Sequence, residues 1–232
     1  MDKLSALAKL RKNLKKGLVS LGSWQQIPNQ AISEILGSQG YEWIAIDLEH
    51  GSIGISQLPN LFLALESNNV LPFVRVSESN YINSHQALEA GAAGIIFPMV
   101  RDGKQLRTLI ENSQLPPSGN RGVGFSRASL YGKNFEKYSE FAQKPFIVAM
   151  IESKEAIDNI EGILENDSLD AILVGPYDLS ASLNDTGNFE SLDFLNYMKK
   201  LDCACRKYSV PKGIHVVKPS KKQLKDYIDK SY

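Results

Sequence analysis

Short apolar runs alternate with longer amphipathic stretches along most of this chain. Seven runs, at 18–24, 43–48, 73–76, 94–100, 146–151, 171–175 and 213–217, have the length and residue types of buried strands. Between them, 29–39, 56–68, 81–90, 154–165 and 192–208 carry helical content and period, and 221–230 continues the pattern. Leu4, Leu7, Leu10 and Leu14 mark an amphipathic opening helix whose other face is basic. Nearly continuous apolar strands separated by helices predict an α/β fold with a parallel, helix-covered sheet. No linker or composition break divides the chain, so the expectation is a single domain over 1–232.

Two stretches depart from this rhythm. Residues 114–145 include Pro116, Pro117, Gly119, Gly122, Gly124 and Gly132 and read as a long irregular loop, of the kind that forms lids and binding loops. At the other end, the chain stops at Tyr232 after a helical segment, where an eight-stranded barrel would need one more strand.

Charge narrows the function. Lys+Arg and Asp+Glu both number 26, which leaves no net field to draw in nucleic acid or an anionic membrane. No apolar run reaches membrane-spanning length, and no secretory segment opens the chain. Cys203 and Cys205 lie two residues apart on a predicted helix, so they face different ways and read as reduced thiols of a cytoplasmic protein.

The candidate chemistry sits at strand ends. Asp47-Leu48-Glu49-His50, Met150-Ile151-Glu152 and Gly175-Pro176-Tyr177-Asp178 each follow an apolar run. In parallel α/β proteins that is where active sites assemble. Glu152 and Asp178, at the ends of consecutive strands, are open to two readings: paired ligands of a hard divalent ion, or helix and turn caps. His50 is either a general base oriented by Asp47 or Glu49, or an ordinary polar loop residue. Arg75 interrupts Phe73-Val74-Arg75-Val76, and a cation in a buried strand requires an anion: a structural partner or a developing oxyanion. The glycines of 116–124 lack both the Lys-Ser/Thr of a P-loop and the strand–turn–helix setting of a dinucleotide fingerprint, which excludes nucleotide binding. His85 and His215 read as structural.

In order, Gly22-Ser23-Trp24, Gly40-Tyr41-Glu42-Trp43, Asp47 through Gly51, and Val74-Arg75-Val76 form a series. It continues with Gly91-Ala92-Ala93-Gly94, Phe97-Pro98-Met99-Val100, 116–124, Met150-Ile151-Glu152 and 175–180. Together these segments resemble the HpcH/HpaI family of class II, metal-dependent pyruvate aldolases over about residues 17–217. The resemblance implies a TIM (β/α)8-type barrel, here without its eighth strand, that reversibly cleaves a 4-hydroxy-2-oxo acid to pyruvate and an aldehyde. It implies Glu152 and Asp178 as ligands of Mg²⁺, Mn²⁺ or Co²⁺. His50 becomes the base, Arg75 the stabiliser of the keto oxygen, and Asp47 and Glu89 their catalytic neighbours. Trp24, Met150, Pro176, Tyr177, Arg121 and Gly122 fall at substrate-binding positions. Met150 stands where many relatives have Gln, and Glu89 where the family commonly has Asp. A homo-oligomer is expected. Two competing readings are a citrate-lyase-β-like lyase acting on a CoA thioester and a non-catalytic aldolase-like binding protein. Lys218 is the strand-end candidate if the chemistry used a Schiff base instead.

Overall fold

The computed structural model describes residues 1–218, 220–230 and 232. In chain order the elements begin with α1 (Lys3–Lys15), β1 (Gly22–Gln25), α2 (Gln30–Gly37), β2 (Trp43–Asp47), α3 (Leu58–Ser67), β3 (Leu71–Arg75), α4 (Tyr81–Ala90) and β4 (Gly94–Phe97). Then come α5 (Gly103–Ser113), α6 (Phe135–Ala142), β5 (Phe146–Ile151), α7 (Lys154–Asp158) and α8 (Ile160–Leu164). The last are β6 (Ala171–Val174), α9 (Pro176–Ser182), α10 (Leu192–Tyr208), β7 (Lys212–Ile214) and α11 (Lys221–Asp229). This βα succession is that of the TIM-barrel class of α/β folds, with seven strands among the described residues.

Two compact units divide the chain. The first comprises Met1–Arg11, Ser20–Phe97 and Leu109–Ile147. Its strands pair in parallel in the order β1, β2, β3, β4, with Asp47 opposite Arg75 at the ends of β2 and β3. Every residue of β3 and β4 is buried, as near-continuous apolar strands require. Trp43, Phe73 and Phe146 stack in series, with centroids 5.6 and 5.2 Å apart. Asn29 and Asn80 cap α2 and α4 through their side chains, which fixes where each helix starts after its strand.

The second unit comprises Lys12–Val19, Pro98–Thr108 and Val148–Tyr232. Here β5, β6 and β7 pair in parallel, with Ile151 opposite Val174 and Val174 opposite Ile214. Ser191 caps the long helix α10. Cys205 is buried and Cys203 exposed, and both are free thiols. Among the described residues no helix is long and apolar enough to cross a membrane.

Several boundaries differ from the sequence expectation. β1 begins only at Gly22, because Leu18, Val19 and Leu21 are exposed rather than in the core. β4 ends at Phe97, since Pro98 has no N–H and Met99 adopts a left-handed φ of 51°. β7 spans Lys212–Ile214, leaving Val216 and Val217 outside it. The segment 154–165 splits at Asn159, which ends α7 and starts α8. The helices α5, α6 and α9 were not anticipated, and α6 lies inside the stretch expected to be irregular loop.

Candidate active site

The register of β2 and β3 places Asp47 and Arg75 side by side, and their contact follows directly. Asp47 is fully buried and Arg75 is 3% exposed. Arg75 Nε donates to Asp47 Oδ1 at 2.9 Å and Nη2 to Oδ2 at 2.6 Å, a two-pronged pairing that fixes the guanidinium plane. Arg75 Nη1 lies 3.2 Å from Glu49 Oε2, and the guanidinium carbon sits 4.7 Å from the ring centre of Trp24. Asp47 also accepts from Gln26 Nε2 at 2.8 Å and from the backbone N–H groups of Glu49 and His50 at 3.1 and 3.2 Å. Burial alone would raise the Asp47 carboxyl, but the bonds from Arg75 and Gln26 outweigh it and hold the group below the ordinary aspartate range.

His50 follows on the turn that Asp47 ties down, with its side chain 60% exposed and its Nε2 3.8 Å from Glu49 Oε2. The carboxylate beside the imidazole is therefore Glu49; Asp47 acts on the backbone of His50 instead. Of the sequence-predicted residues in this unit, Asp47, Arg75, His50 and Trp24 are gathered, and Gln26 joins them without having been anticipated.

Glu89, Arg121 and Gly122 form a different cluster. Arg121 is 1% exposed, donating from Nη1 to the Ser113 carbonyl (3.2 Å) and from Nη2 to the Tyr138 hydroxyl (2.6 Å). Tyr138 in turn donates to Glu89 Oε1 at 3.3 Å, and the Gly122 N–H donates to the Tyr81 hydroxyl at 3.2 Å. The expectation that Arg121 meets substrate gives way here. Its guanidinium is turned inward, where it pins the loop to α4 and α6. Burial lowers the His85 imidazole below its ordinary pKa, opposed by Glu89 and assisted by Arg121, and pushes the Tyr138 phenol up to about 12.

In the second unit, Glu152 follows β5 directly and is 3% exposed. Ser153, not Glu152, caps α7, its hydroxyl accepting from the Ala156 N–H at 3.1 Å. Glu152 Oε2 instead accepts from the Met99 N–H at 2.8 Å, a donor presented by the left-handed backbone of Met99. Gly175 lies alongside, and a Cβ there would fall 2.6 Å from Glu152 Oε1. Only glycine leaves the carboxylate its place. Pro176 opens α9, and Asp178 stands exposed in that helix's first turn without a capping role, the N-cap being Gly175. Tyr177 packs edge-on against Phe189 at 5.1 Å, and Met150 is buried within β5. Neither carboxylate does the capping work that was the alternative to metal binding.

Among the described residues no three His, Cys, Asp or Glu side chains are grouped to hold a metal ion. A two-carboxylate, all-oxygen donor set nevertheless suits a hard divalent cation that keeps water and substrate oxygens in its remaining positions. Gly175 lets the Glu152 carboxylate pack against the start of α9, the helix whose first turn carries Asp178.

Parallel β/α pairing with acidic residues at the strand ends defines an α/β protein of the TIM-barrel class whose candidate chemistry lies where such folds keep it. The family model for HpcH/HpaI aldolase/citrate lyase matches residues 21–231, and the chain belongs to that family. It is 36% identical over 173 residues to a 4-hydroxy-2-oxovalerate aldolase of Novosphingobium aromaticivorans, covering 73% of this chain and 65% of that protein's length. To a hydroxypyruvate/pyruvate aldolase of Roseobacter denitrificans it is 34% identical, covering 76% of this chain and 70% of that one. The crystal structure of an HpcH/HpaI aldolase/citrate lyase family protein from Burkholderia cenocepacia J2315 superposes with a TM-score of 0.89. That match has 26% identity and covers 97% of this chain and 90% of the other.

Proposed function

We propose that this chain is a class II, divalent-metal-dependent aldolase that reversibly cleaves a 4-hydroxy-2-oxo acid to pyruvate and an aldehyde. The observation that carries the reading is Glu152: a buried carboxylate that accepts from the Met99 N–H and packs against Gly175 at the start of α9, with the cap of α7 supplied by Ser153. Burying an ionised carboxylate is costly unless a cation or donors compensate it. In this reading Glu152 and Asp178 hold Mg²⁺, Mn²⁺ or Co²⁺. Bound there, the ion supplies Lewis-acid polarisation of a 2-oxo acid's oxygens.

The remaining steps belong to the chain's own side chains. Arg75, fixed by Asp47, Glu49 and Trp24, presents a preorganised positive charge to the keto oxygen as negative charge develops there. His50 has an exposed imidazole on a turn anchored by Asp47, and takes the proton from the 4-hydroxyl in the cleavage direction. Glu49 is the carboxylate that steadies the imidazolium. Trp24, Met150, Pro176, Tyr177 and Gly122 bound the substrate, while Glu89 acts through Tyr138 and Arg121 on the loop. We further propose a homo-oligomer in the cytoplasm. β7 is half-buried and, among the described residues, follows β6 as the last strand; such a strand edge invites pairing, and sedimentation at micromolar concentration tests the assembly.

Incubating the chain with pyruvate and a panel of aldehydes, with and without Mn²⁺, tests the activity. Metal-dependent formation of 4-hydroxy-2-oxo acids is expected. No condensation with any aldehyde, while the chain binds Mn²⁺ and stays folded, would favour a non-catalytic binding protein.

A further inference from the structure

The first unit has a cavity of about 530 Å³, lined in part by Lys3, Leu63, Glu66, Arg127, Leu130 and Tyr131. Glu66 belongs to the last turn of α3, and Gly91 closes α4. The cavity therefore lies toward the starts of β3 and β4, whereas Asp47 and Arg75 mark the ends of β2 and β3.

Its floor is ionic. Lys3 Nζ donates to the Gly91 carbonyl at 2.6 Å and pairs with Glu66 Oε1 at 2.7 Å. Arg127 Nη1 donates to the Ala90 carbonyl at 2.9 Å and to Glu66 Oε1 at 3.3 Å, and Nη2 to Glu66 Oε2 at 3.0 Å. Two cations thus share one carboxylate, and together they carry more N–H donors than these acceptors use. Gly91 makes the crowding possible. At φ +110° it suits a residue without a side chain, and a Cβ there would fall 2.5 Å from Arg127 Nη1. Each cation caps one of the last carbonyls of α4, but the two share a single carboxylate, which leaves one positive charge in excess at the cavity wall. Burial draws the Lys3 ammonium below its ordinary pKa against the opposing pull of Glu66, and a second anion beside it would relieve that.

The rim is apolar. Leu63, Leu130 and Tyr131 are all exposed, and Leu130 and Tyr131 are held there by left-handed backbone at φ 50° and 55°. We infer that this cavity is a binding site for a small organic monoanion with an apolar tail, such as a medium-chain carboxylate. The carboxylate meets Lys3 and Arg127, and the tail lies against Leu63, Leu130 and Tyr131.

Calorimetric titration of the whole chain with hexanoate, and with neutral hexanamide, in excess EDTA decides it. Hexanoate carries no 2-keto group and no metal is present, so the outcome is independent of the aldolase reading. One hexanoate per chain is expected, with hexanamide weaker by about tenfold or more. Arg127→Gln should weaken hexanoate about tenfold. Shortening the ligand by one methylene should weaken it about threefold. If Arg127→Gln fails to fold, Leu130→Ser at the exposed rim gives the second reading: weaker hexanoate is expected, with a smaller penalty for shortening the ligand. Failure of hexanoate to saturate at millimolar concentration, equal binding of the amide, or binding indifferent to both variants would overturn the inference.

Discussion

The ends of β2 and β3 and the ends of β5 and β6 each bury a carboxylate, but they solve the problem differently. Asp47 is satisfied within the protein: Arg75 takes both its oxygens, and Gln26 and two backbone N–H groups complete the shell. Glu152 accepts from the Met99 N–H at Oε2, and its carboxylate packs against the Gly175 backbone. The first arrangement holds a charge rigid before any ligand arrives. The second is set by backbone: Met99, in left-handed conformation, presents its N–H, and Gly175 has no side chain to displace the carboxylate.

That contrast breaks most visibly when one partner is removed. Arg75→Met should strand the fully buried Asp47 carboxylate and destabilise the fold by about 3–5 kcal/mol. Glu152→Gln, an isosteric change beside a backbone N–H, should stay within about 1 kcal/mol of the parent. Urea midpoints compare the two, and equal losses would erase the distinction.

A smaller effect is expected from Gly175→Ala. The added methyl would fall 2.6 Å from Glu152 Oε1 and push the carboxylate aside. Mn²⁺ affinity should drop about 10- to 100-fold, read by calorimetry, while affinity unchanged from the parent would mean that the packing of Glu152 on Gly175 has no part in metal binding.

Asp47 also sets a pH response. The folded-state pKa of Asp47 lies below its unfolded value, so its stabilisation is complete above the ordinary aspartate pKa of about 3.9. It is lost as pH falls through the lower, folded value. Acid unfolding should therefore steepen below about pH 4, and Asp47→Asn should flatten that limb. An unchanged limb in the variant would place the acid sensitivity elsewhere.

Least affected should be the loop glycines. A Cβ at Gly124 meets nothing within 4 Å, and Gly124→Ala should change stability by less than about 0.5 kcal/mol. Gly122→Ala brings a methyl 3.2 Å from the Tyr81 hydroxyl and should cost about 1 kcal/mol more than Gly124→Ala.

The sequence carried much of this because the strongest signals were chemical conflicts. Arg75 inside Phe73-Val74-Arg75-Val76 announces a buried cation whatever the fold, and Glu152 after an apolar run announces a buried anion. That Asp47 is the partner of Arg75 needed the β2–β3 register, which no local pattern encodes. The Met99 N–H leaves no side-chain signature at all. Arg121 misled because glycines flank it as in ligand loops, whereas its burial depends on Tyr138, which belongs to a helix that those glycines disguised. That helix and α5 were still written in apolar spacing, as Tyr138, Phe141 and Ala142 and as Leu106, Leu109 and Ile110, all buried.

The proposed catalysis depends on a divalent ion held through Glu152. Pyruvate release from a racemic 4-hydroxy-2-oxo acid, measured for the parent and for Glu152→Gln before and after EDTA and again after added Mn²⁺, tests it most directly. The parent should lose activity to EDTA and regain it with Mn²⁺, and Glu152→Gln should stay inactive at Mn²⁺ concentrations that saturate the parent. Activity that survives chelation and is trapped by borohydride on Lys218 would replace metal-dependent cleavage with Schiff-base chemistry.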